Sequence, residues 1–173
     1  AAQRLLAQRT IPLFMAKEII DEAHKAEIYV HSYQSDIILT EEHSPELDFY
    51  LRKVKMEYQL VPDIYSRLQT EPNKILMIDL EGQGRLQEFK MQHESFQEYS
   101  NSFFSRNEYL EICPKDTDKG SAVTYISQFL GVLPENTVAV GDERNDIPMI
   151  QAAHIGVAVK NSHPDIKEAA DYI

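Results

Sequence analysis

Cysteine and long apolar runs are scarce in this chain, and tryptophan is missing altogether. Cys113 is the single cysteine among 173 residues, so no disulfide framework forms within the chain. No apolar stretch approaches the roughly 18 residues of a membrane-spanning helix, and no signal-peptide pattern opens the sequence. These features favour a reducing compartment, and we predict a cytoplasmic protein. An initiator methionine is also missing, so we expect the chain to be a piece of a longer polypeptide.

Basic residues are outnumbered by acidic ones. The chain has 17 Lys and Arg against 28 Asp and Glu, which gives a formal net charge of −11. Nucleic acids and anionic membranes are bound by stripes of Lys and Arg, so the charge balance disfavours both partners. A small anionic substrate remains compatible with it, because such a substrate needs only local positive charge. The 43% hydrophobic and 26% charged residues are typical of a soluble globular protein.

The pattern of predicted elements changes at about residue 104. Residues 1–104 contain paired β-rich runs among helices, which predicts an α+β domain with an antiparallel or mixed sheet. From Tyr109 onwards strand and helix alternate, which predicts parallel βαβ units. We therefore predict two domains, 1–104 and 105–173, in an α/β protein. The second domain has too few strands for a complete sheet and corresponds to half of a Rossmann-like, three-layer α/β/α core.

A run of small and β-branched residues ends at Gly141 and is followed by two aspartates. The run predicts a short buried strand, and Gly141 permits a sharp turn at its end. Asp142 then lies on the exit loop and Asp146 in the next helical turn, where open α/β sheets bind ligands. Paired carboxylates there suit Mg²⁺, which shares its remaining positions with water and phosphate. Alternatively, Asp146 or Asn145 only caps the helix, but this explanation fits Asp142 poorly.

Two further residues are predicted to lie near helix or strand ends. Asp118 has the character of an N-cap, which places Lys119 in the first turn of a helix over residues 119–130. A cation there opposes the helix dipole, so Lys119 is either a tolerated surface residue or a group that faces a phosphoryl ligand together with the helix amides. Asn161 follows the next predicted strand. It is either a turn residue or a hydrogen-bonding group of the same crevice.

Four segments of the second half resemble one enzyme family in order, spacing and context. They match the haloacid-dehalogenase-like hydrolases and, more narrowly, the Cof-type sugar-phosphate phosphatases. The resemblance covers about residues 109–173. The segments are Lys119–Ala122, Val138–Met149, Gly156–Asn161 and Glu168–Tyr172.

The resemblance implies a role for each of these residues. Asp142 and Asp146 would hold Mg²⁺, with the second acting partly through water. Lys119 would steady the nucleophile and the phosphate, and Asn161 would line the phosphate site. Residues 1–104 would form the cap domain that selects the substrate, although this part of the resemblance rests on pattern alone. The implied reaction is phosphate ester hydrolysis through an aspartyl-phosphate.

The family's first two motifs, which supply the nucleophilic aspartate and a Ser or Thr, are expected before the cap and are not found in this sequence. The run Ile75–Gly82 superficially resembles the first motif, with Asp79 as nucleophile and Glu81 as acid/base. We interpret it as a cap strand, because too few residues separate it from Lys119 for the intervening elements. The sequence 116–118 is also Asp-x-Asp, but it adjoins Lys119 and is expected to cap the helix.

The leading functional hypothesis is therefore a Mg²⁺-dependent phosphatase of small phosphorylated metabolites such as sugar phosphates. The chain as given is expected to be inactive alone and to need the N-terminal half of the core, from the same polypeptide or otherwise supplied. A second hypothesis is a non-catalytic phosphate- and Mg²⁺-binding regulatory remnant of the same fold. A third, a nucleotide-binding flavodoxin-like domain, is weakly supported, because Glu81–Gly84 lacks the rest of a dinucleotide motif.

Overall fold

The chain folds into two units, Ala1–Lys115 and Asp116–Ile173, in a computed structural model that describes residues 5–173 except for the Gln83 side chain. In this described part, none of the helices is both long enough and apolar enough to cross a bilayer.

The first unit is built on a six-stranded mixed sheet with the strand order β3-β2-β1-β4-β6-β5. Strands β2 and β3 are parallel, and the other neighbours are antiparallel. This arrangement confirms the predicted mixed sheet. The strands are β1 (Tyr29–Gln34), β2 (Ile37–Thr40), β3 (Glu57–Leu60), β4 (Lys74–Ile78), β5 (Ser100–Arg106) and β6 (Tyr109–Pro114).

Helices cover both faces of this sheet. Buried residues of α1, α3 and α4 pack with four of the strands in the main core. On the other face Tyr50 of α2 packs with Tyr33, Leu76 and Tyr109 in a second cluster. A 3₁₀ turn at Glu94–Glu98 follows α4. The helices are α1 (Leu13–Lys25), α2 (Pro45–Leu51), α3 (Ile64–Arg67) and α4 (Gln83–Gln92).

Side-chain caps mark the starts of α2 and α3 in this unit, at Ser44 and Asp63. The Ser44 hydroxyl accepts a hydrogen bond from the Leu47 amide at 3.2 Å, with proline in the first turn as the sequence predicts. Apolar residues at helical spacing from Leu47 to Tyr58 predict a longer α2. Residues 57–60 instead pair with β2 as the parallel strand β3. Residues 5–10 form neither helix nor strand, although the sequence of residues 4–10 is compatible with a strand, and Arg4 lies outside the described residues.

The boundary between the units differs from the predicted boundary between residues 104 and 105. Strand alternation predicted Tyr109–Cys113 as the first strand of the parallel series. That assignment is wrong, because β6 lies between β4 and β5 and is antiparallel to both. The chain leaves the first sheet only after Lys115. Periodicity identifies a strand but does not identify its neighbours.

The second unit alternates helices with two parallel strands. Val138 pairs with Ile155 and Gly141 with Ala158, and an isolated parallel bridge joins Val157 to Tyr172. Ala139, Ile150, Ala158 and Ile166 form a small core. The α/β fold class predicted from the sequence is confirmed. The elements are α5 (Lys119–Leu130), β7 (Val138–Gly141), α6 (Ile147–Ala152), β8 (Ile155–Ala158) and α7 (Pro164–Ala169), with 3₁₀ turns at Pro134–Asn136 and Arg144–Asp146.

Burial distinguishes the expected contributions of two leucines, Leu76 and Leu60, to the stability of the first unit. Leu76 is fully buried in the second cluster, whereas Leu60 on β3 is 52% exposed. We expect Leu76→Ala to lower the free energy of unfolding by about 2–5 kcal/mol, because it removes buried methyl groups and leaves a cavity. Leu60→Ala is the matched control and should change it by no more than about 0.5 kcal/mol. Urea denaturation measures both, and equal losses would contradict the described packing.

Candidate functional site

A capping box places Lys119 at the start of α5. The Asp118 carboxylate accepts a hydrogen bond from the Ser121 amide at 2.7 Å, and the Asp118 amide donates to the Ser121 hydroxyl at 3.1 Å. These two bonds satisfy backbone and side-chain groups reciprocally and fix the first turn of the helix. Lys119 is therefore the first residue of α5, as predicted from the sequence.

Asp146 is the buried centre of the second unit's polar cluster. Its residue surface is only 4% exposed. One carboxylate oxygen accepts hydrogen bonds from the amides of Asp142 and Glu143, at 3.0 and 3.1 Å. The other oxygen accepts a hydrogen bond from Nζ of Lys119 and forms an ion pair with it. Two groups that are 27 positions apart in the sequence are thus brought into direct contact.

The hydrogen bonds decide the charge of Asp146. Burial by itself would raise the pKa of this carboxyl, because it removes water from the charged form. The bond from Lys119 and the amides of Asp142 and Glu143 stabilise the carboxylate, and together they outweigh burial and lower the pKa below its ordinary value. Asp146 is therefore ionised at neutral pH.

Two glycines allow the segments around Asp146 to approach each other. A Cβ at Gly141 would lie 2.6 Å from the Asp146 Cβ and 3.0 Å from its carboxylate, which is too close for a side chain. A Cβ at Gly120 would lie 2.4 Å from the carbonyl oxygen of Pro148 in α6. Glycine at these positions lets β7 and the start of α5 pack against the segment that carries Asp146.

Asp142 lies in the loop directly after β7, and its side chain is exposed. Within residues 5–173, its carboxylate makes no hydrogen bond or ion pair with protein groups. Its backbone is fixed at both ends, because its amide donates to Asp146 and its carbonyl oxygen accepts from the His163 amide at 3.0 Å. The loop is thus held in place while the carboxylate remains free to bind a ligand.

Asn161 lies in an exposed turn after β8, next to the Asp142 loop. The amide of Val159 donates to the carbonyl oxygen of Gly141 at 3.2 Å, which ties the two loops together. The Asn161 side chain makes no hydrogen bond with the described residues. Its backbone position is the expected one, at the carboxyl end of a parallel strand, but its side chain does not join the Lys119–Asp146 pair.

The oxygen groups around Asp142 fit a hard cation. Asn145 Oδ1 is buried and has no hydrogen-bond partner in the described part of the chain. Together with the free Asp142 carboxylate and the ionised Asp146, it provides the type of ligand that Mg²⁺ prefers. Among residues 5–173, no three His, Cys, Asp or Glu side chains are grouped closely enough to hold a metal by themselves. These oxygen atoms are therefore of a type that suits Mg²⁺, but the described residues do not form a complete metal site by themselves.

Sequence reasoning missed two contributions to this site. Glu143 and Asp146 form a second capping box around the 3₁₀ turn, and their spacing of three residues is a sequence signal of it. Arg144 pairs with Asp165 in α7, with Nε 2.8 Å from Oδ2. No local pattern marks this second pair, because its members lie 21 residues apart.

Asp79, the rejected nucleophile candidate, lies in the first unit. It follows β4, whose neighbours β1 and β6 are both antiparallel to it. Its carboxylate accepts a hydrogen bond from the Glu81 amide at 3.0 Å and lies 3.7 Å from Arg85. This environment supports the interpretation of the run Ile75–Gly82 as a strand and turn of the first sheet.

Gly141 provides a direct test of the close approach at Asp146. We expect Gly141→Ala to lower the free energy of unfolding by about 1–3 kcal/mol, the typical effect of forcing extra atoms into a packed site. Gly84→Ala is the matched control. A Cβ there meets nothing within 4 Å, and alanine favours helix α4, so stability should stay equal or rise by up to about 1 kcal/mol. Thermal unfolding measures both, and an unaffected Gly141→Ala protein would refute the packing.

The lowered pKa of Asp146 predicts a dependence of stability on pH. A carboxyl whose folded-state pKa is depressed stabilises the protein above its unfolded pKa of about 3.9, and this contribution is lost as the pH falls through the folded value. We therefore expect Asp146→Asn to be less stable than the wild type at pH 7, with a difference that shrinks below about pH 4. Urea denaturation from pH 7 to pH 2.5 measures it. A difference that stays constant over this range would show that the charge of Asp146 contributes nothing.

Comparison with proteins of known structure gives the same fold over nearly the whole chain. A haloacid dehalogenase-like hydrolase from Bacteroides thetaiotaomicron superposes with a TM-score of 0.86 and 25% identity, over 98% of this chain and 64% of that one. The chain is thus shorter than this relative and spans about two thirds of its length.

Shorter segments resemble curated proteins. A phosphoglycolate phosphatase of Methanosarcina acetivorans is 45% identical over 56 residues, which make up 32% of this chain and 25% of that protein. The chloroplastic endoribonuclease YBEY of Arabidopsis thaliana is 40% identical over 74 residues, 43% of this chain and 13% of that protein. The model of the haloacid dehalogenase-like hydrolase family matches residues 1–173. Because this family model covers the whole chain, the chain belongs to the haloacid dehalogenase-like hydrolase family.

Proposed function

We propose that the protein is a Mg²⁺-dependent phosphatase that hydrolyses small phosphorylated metabolites such as sugar phosphates. The observation that carries this proposal is the contact of Lys119 with Asp146 beside the free carboxylate of Asp142. The name of the phosphoglycolate phosphatase relative supports the same substrate class. An RNA substrate is disfavoured by the net charge of −11. The single cysteine favours a cytoplasmic location, which we also propose.

The metal would be held by this chain through oxygen atoms. Asp142 would be the direct ligand, because its carboxylate has no protein partner among the described residues. Asp146 already accepts three hydrogen bonds and would act mainly through water, and Asn145 would support the site with its unpaired oxygen. When bound, Mg²⁺ offsets the repulsion between an attacking carboxylate and a phosphate dianion.

Lys119 and Asn161 would act on the phosphate. Lys119 starts a twelve-residue helix, so its ammonium group and the first amides of α5 provide positive charge together. Such charge stabilises the equatorial oxygens of a phosphoryl group during transfer. The ion pair with Asp146 keeps Lys119 in place before substrate arrives. Asn161 would donate a hydrogen bond to the phosphate from the neighbouring loop.

The nucleophilic aspartate, which would form the aspartyl-phosphate, is proposed to come from the N-terminal half of the core. Two features of the second unit support such a partner. The first is on α5, where Ile126, Phe129 and Leu130 are 54–64% exposed. The second is on β7, which among the described residues pairs only with β8 and has Val138 and Val140 63% and 55% exposed. An added parallel strand with a helix would bury both surfaces. We propose that the 173-residue chain alone is inactive and that residues 1–104 select the substrate as a cap.

The decisive variant for this function is Asp142→Asn. In a polypeptide that carries the N-terminal core segment before Ala1, we expect it to abolish Mg²⁺-dependent hydrolysis of p-nitrophenyl phosphate, because the metal loses its charged ligand. Asp116→Asn, at an exposed carboxylate outside the proposed site, is the matched control and should retain activity. Full activity of Asp142→Asn would remove this residue from the metal site.

A non-catalytic regulatory remnant is the alternative function. In such a remnant, Lys119 and Asp142 would bind phosphate and Mg²⁺ without any hydrolysis. Calorimetric binding of both ligands by a polypeptide that carries the N-terminal segment but does not hydrolyse phosphate esters would support the remnant. Hydrolysis by that polypeptide would exclude it.

A further inference from the structure

An ion pair and two backbone hydrogen bonds connect the segment around Asp142 to the loop that carries Asn161 and to the start of α7. Nε of Arg144, in the turn before Asp146, donates to Oδ2 of Asp165 at 2.8 Å. Nearby, the amides of Val159 and His163 donate to the carbonyl oxygens of Gly141 and Asp142, at 3.2 and 3.0 Å. One backbone bond thus joins loop 142–146 directly to loop 159–163, while the other joins the second loop to the end of β7 and the ion pair joins the first loop to α7.

The second loop is fixed to α7 by the same acidic residue. Asp165 lies in the first turn of α7, and its amide donates to Nδ1 of His163 at 3.2 Å. Asp165 therefore interacts with Arg144 through one carboxylate oxygen and with His163 through its backbone amide, and its other carboxylate oxygen lies 3.4 Å from Nδ1 of His163. The amide of His163 also donates to the carbonyl oxygen of Asp142. Asp142, Arg144, Asp165 and His163 are therefore linked in a ring of contacts.

We propose that Arg144 and Asp165 are positioning residues, which hold the carboxylate of Asp142 and the amide of Asn161 at a fixed separation for a metal and phosphate. This inference rests on the proposed function. Asp142 and Asn161 are both exposed, and their side chains make no hydrogen bonds with the described residues, so their relative position is set by backbone contacts, by the Asp146 carboxylate and by the Arg144–Asp165 pair. We call this pair the clasp.

Exposure limits how much the clasp contributes to overall stability. The side chains of Arg144 and Asp165 are 63% and 49% exposed, and ion pairs of this kind change equilibria by only about two- to fivefold. Neither side chain contributes to the small core of the second unit. The clasp is therefore suited to ordering two surface loops and contributes little to the folding of the unit.

Simple electrostatics and the clasp predict opposite effects of removing Arg144. A positive charge near a cation site repels Mg²⁺, so charge removal alone would strengthen Mg²⁺ binding. Loss of the clasp would loosen the Asp142 loop and weaken the binding instead. The sign of the change in the Mg²⁺ dissociation constant therefore separates the two explanations.

The experiment uses the 173-residue chain and Mg²⁺ alone, measured by isothermal titration calorimetry. We expect Arg144→Gln to raise the dissociation constant about two- to fivefold, the range of an exposed ion pair. Arg144→Lys should restore part of the affinity, and Arg144→Gln with Asp165→Asn should bind no worse than Asp165→Asn alone. Lys160→Gln, which removes an exposed cation from the neighbouring loop, is the matched control and should not weaken binding.

Amide hydrogen exchange tests the clasp independently of metal. We expect Val159 and His163 to exchange about two- to fivefold faster in Arg144→Gln, with little change in the melting temperature. Unchanged exchange, or tighter Mg²⁺ binding by Arg144→Gln, would overturn the proposal. Faster exchange in Arg144→Gln, together with no measurable Mg²⁺ binding by the wild-type chain, would overturn the positioning role of the clasp. Whether the proposed phosphatase function also fails is decided separately, by hydrolysis in the polypeptide with the N-terminal segment.

Discussion

The ion pair between Lys119 and Asp146 is the interaction on which the second unit depends. A buried carboxylate is strongly destabilising unless it is paired and hydrogen-bonded. Asp146 meets this requirement with three donors, which come from the start of α5 and from the loop after β7. The same bonds that make its burial tolerable also bring the cation and the exit loop of the strand together. Structural stability and the arrangement of the site therefore have one origin.

The small size of glycine makes this arrangement possible. Asp146 approaches β7 so closely that a methyl group at Gly141 would overlap with it, and Gly120 does the same for the contact of α5 with Pro148. The Lys119 ammonium group and the Asp146 carboxylate can then lie within hydrogen-bond distance, although they belong to different elements. Asp142 is the exception, since its carboxylate is left without a protein partner among the described residues and is therefore available to a ligand.

Asp79 and Asp142 show how tertiary context separates similar sequences. Both aspartates follow a short run of apolar residues at the end of a strand. The neighbours of β4 are antiparallel, and Asp79 closes a turn and lies near Arg85. The neighbour of β7 is parallel, so the loop after β8 lies beside Asp142. Parallel pairing thus collects loops at one edge of a sheet, which is the arrangement that a binding site needs.

The sequence alone determined the fold class, strand β7 and the start of α5, because these depend on local spacing and capping. The capping pattern around Asp118 placed Lys119 correctly, and the apolar run before Gly141 identified β7. Only the tertiary structure decided that β6 joins the first sheet, that Asp146 is buried under Lys119, and that Arg144 reaches Asp165. Strand neighbours and ion pairs between distant residues depend on how the whole chain packs. Local sequence patterns do not encode that packing.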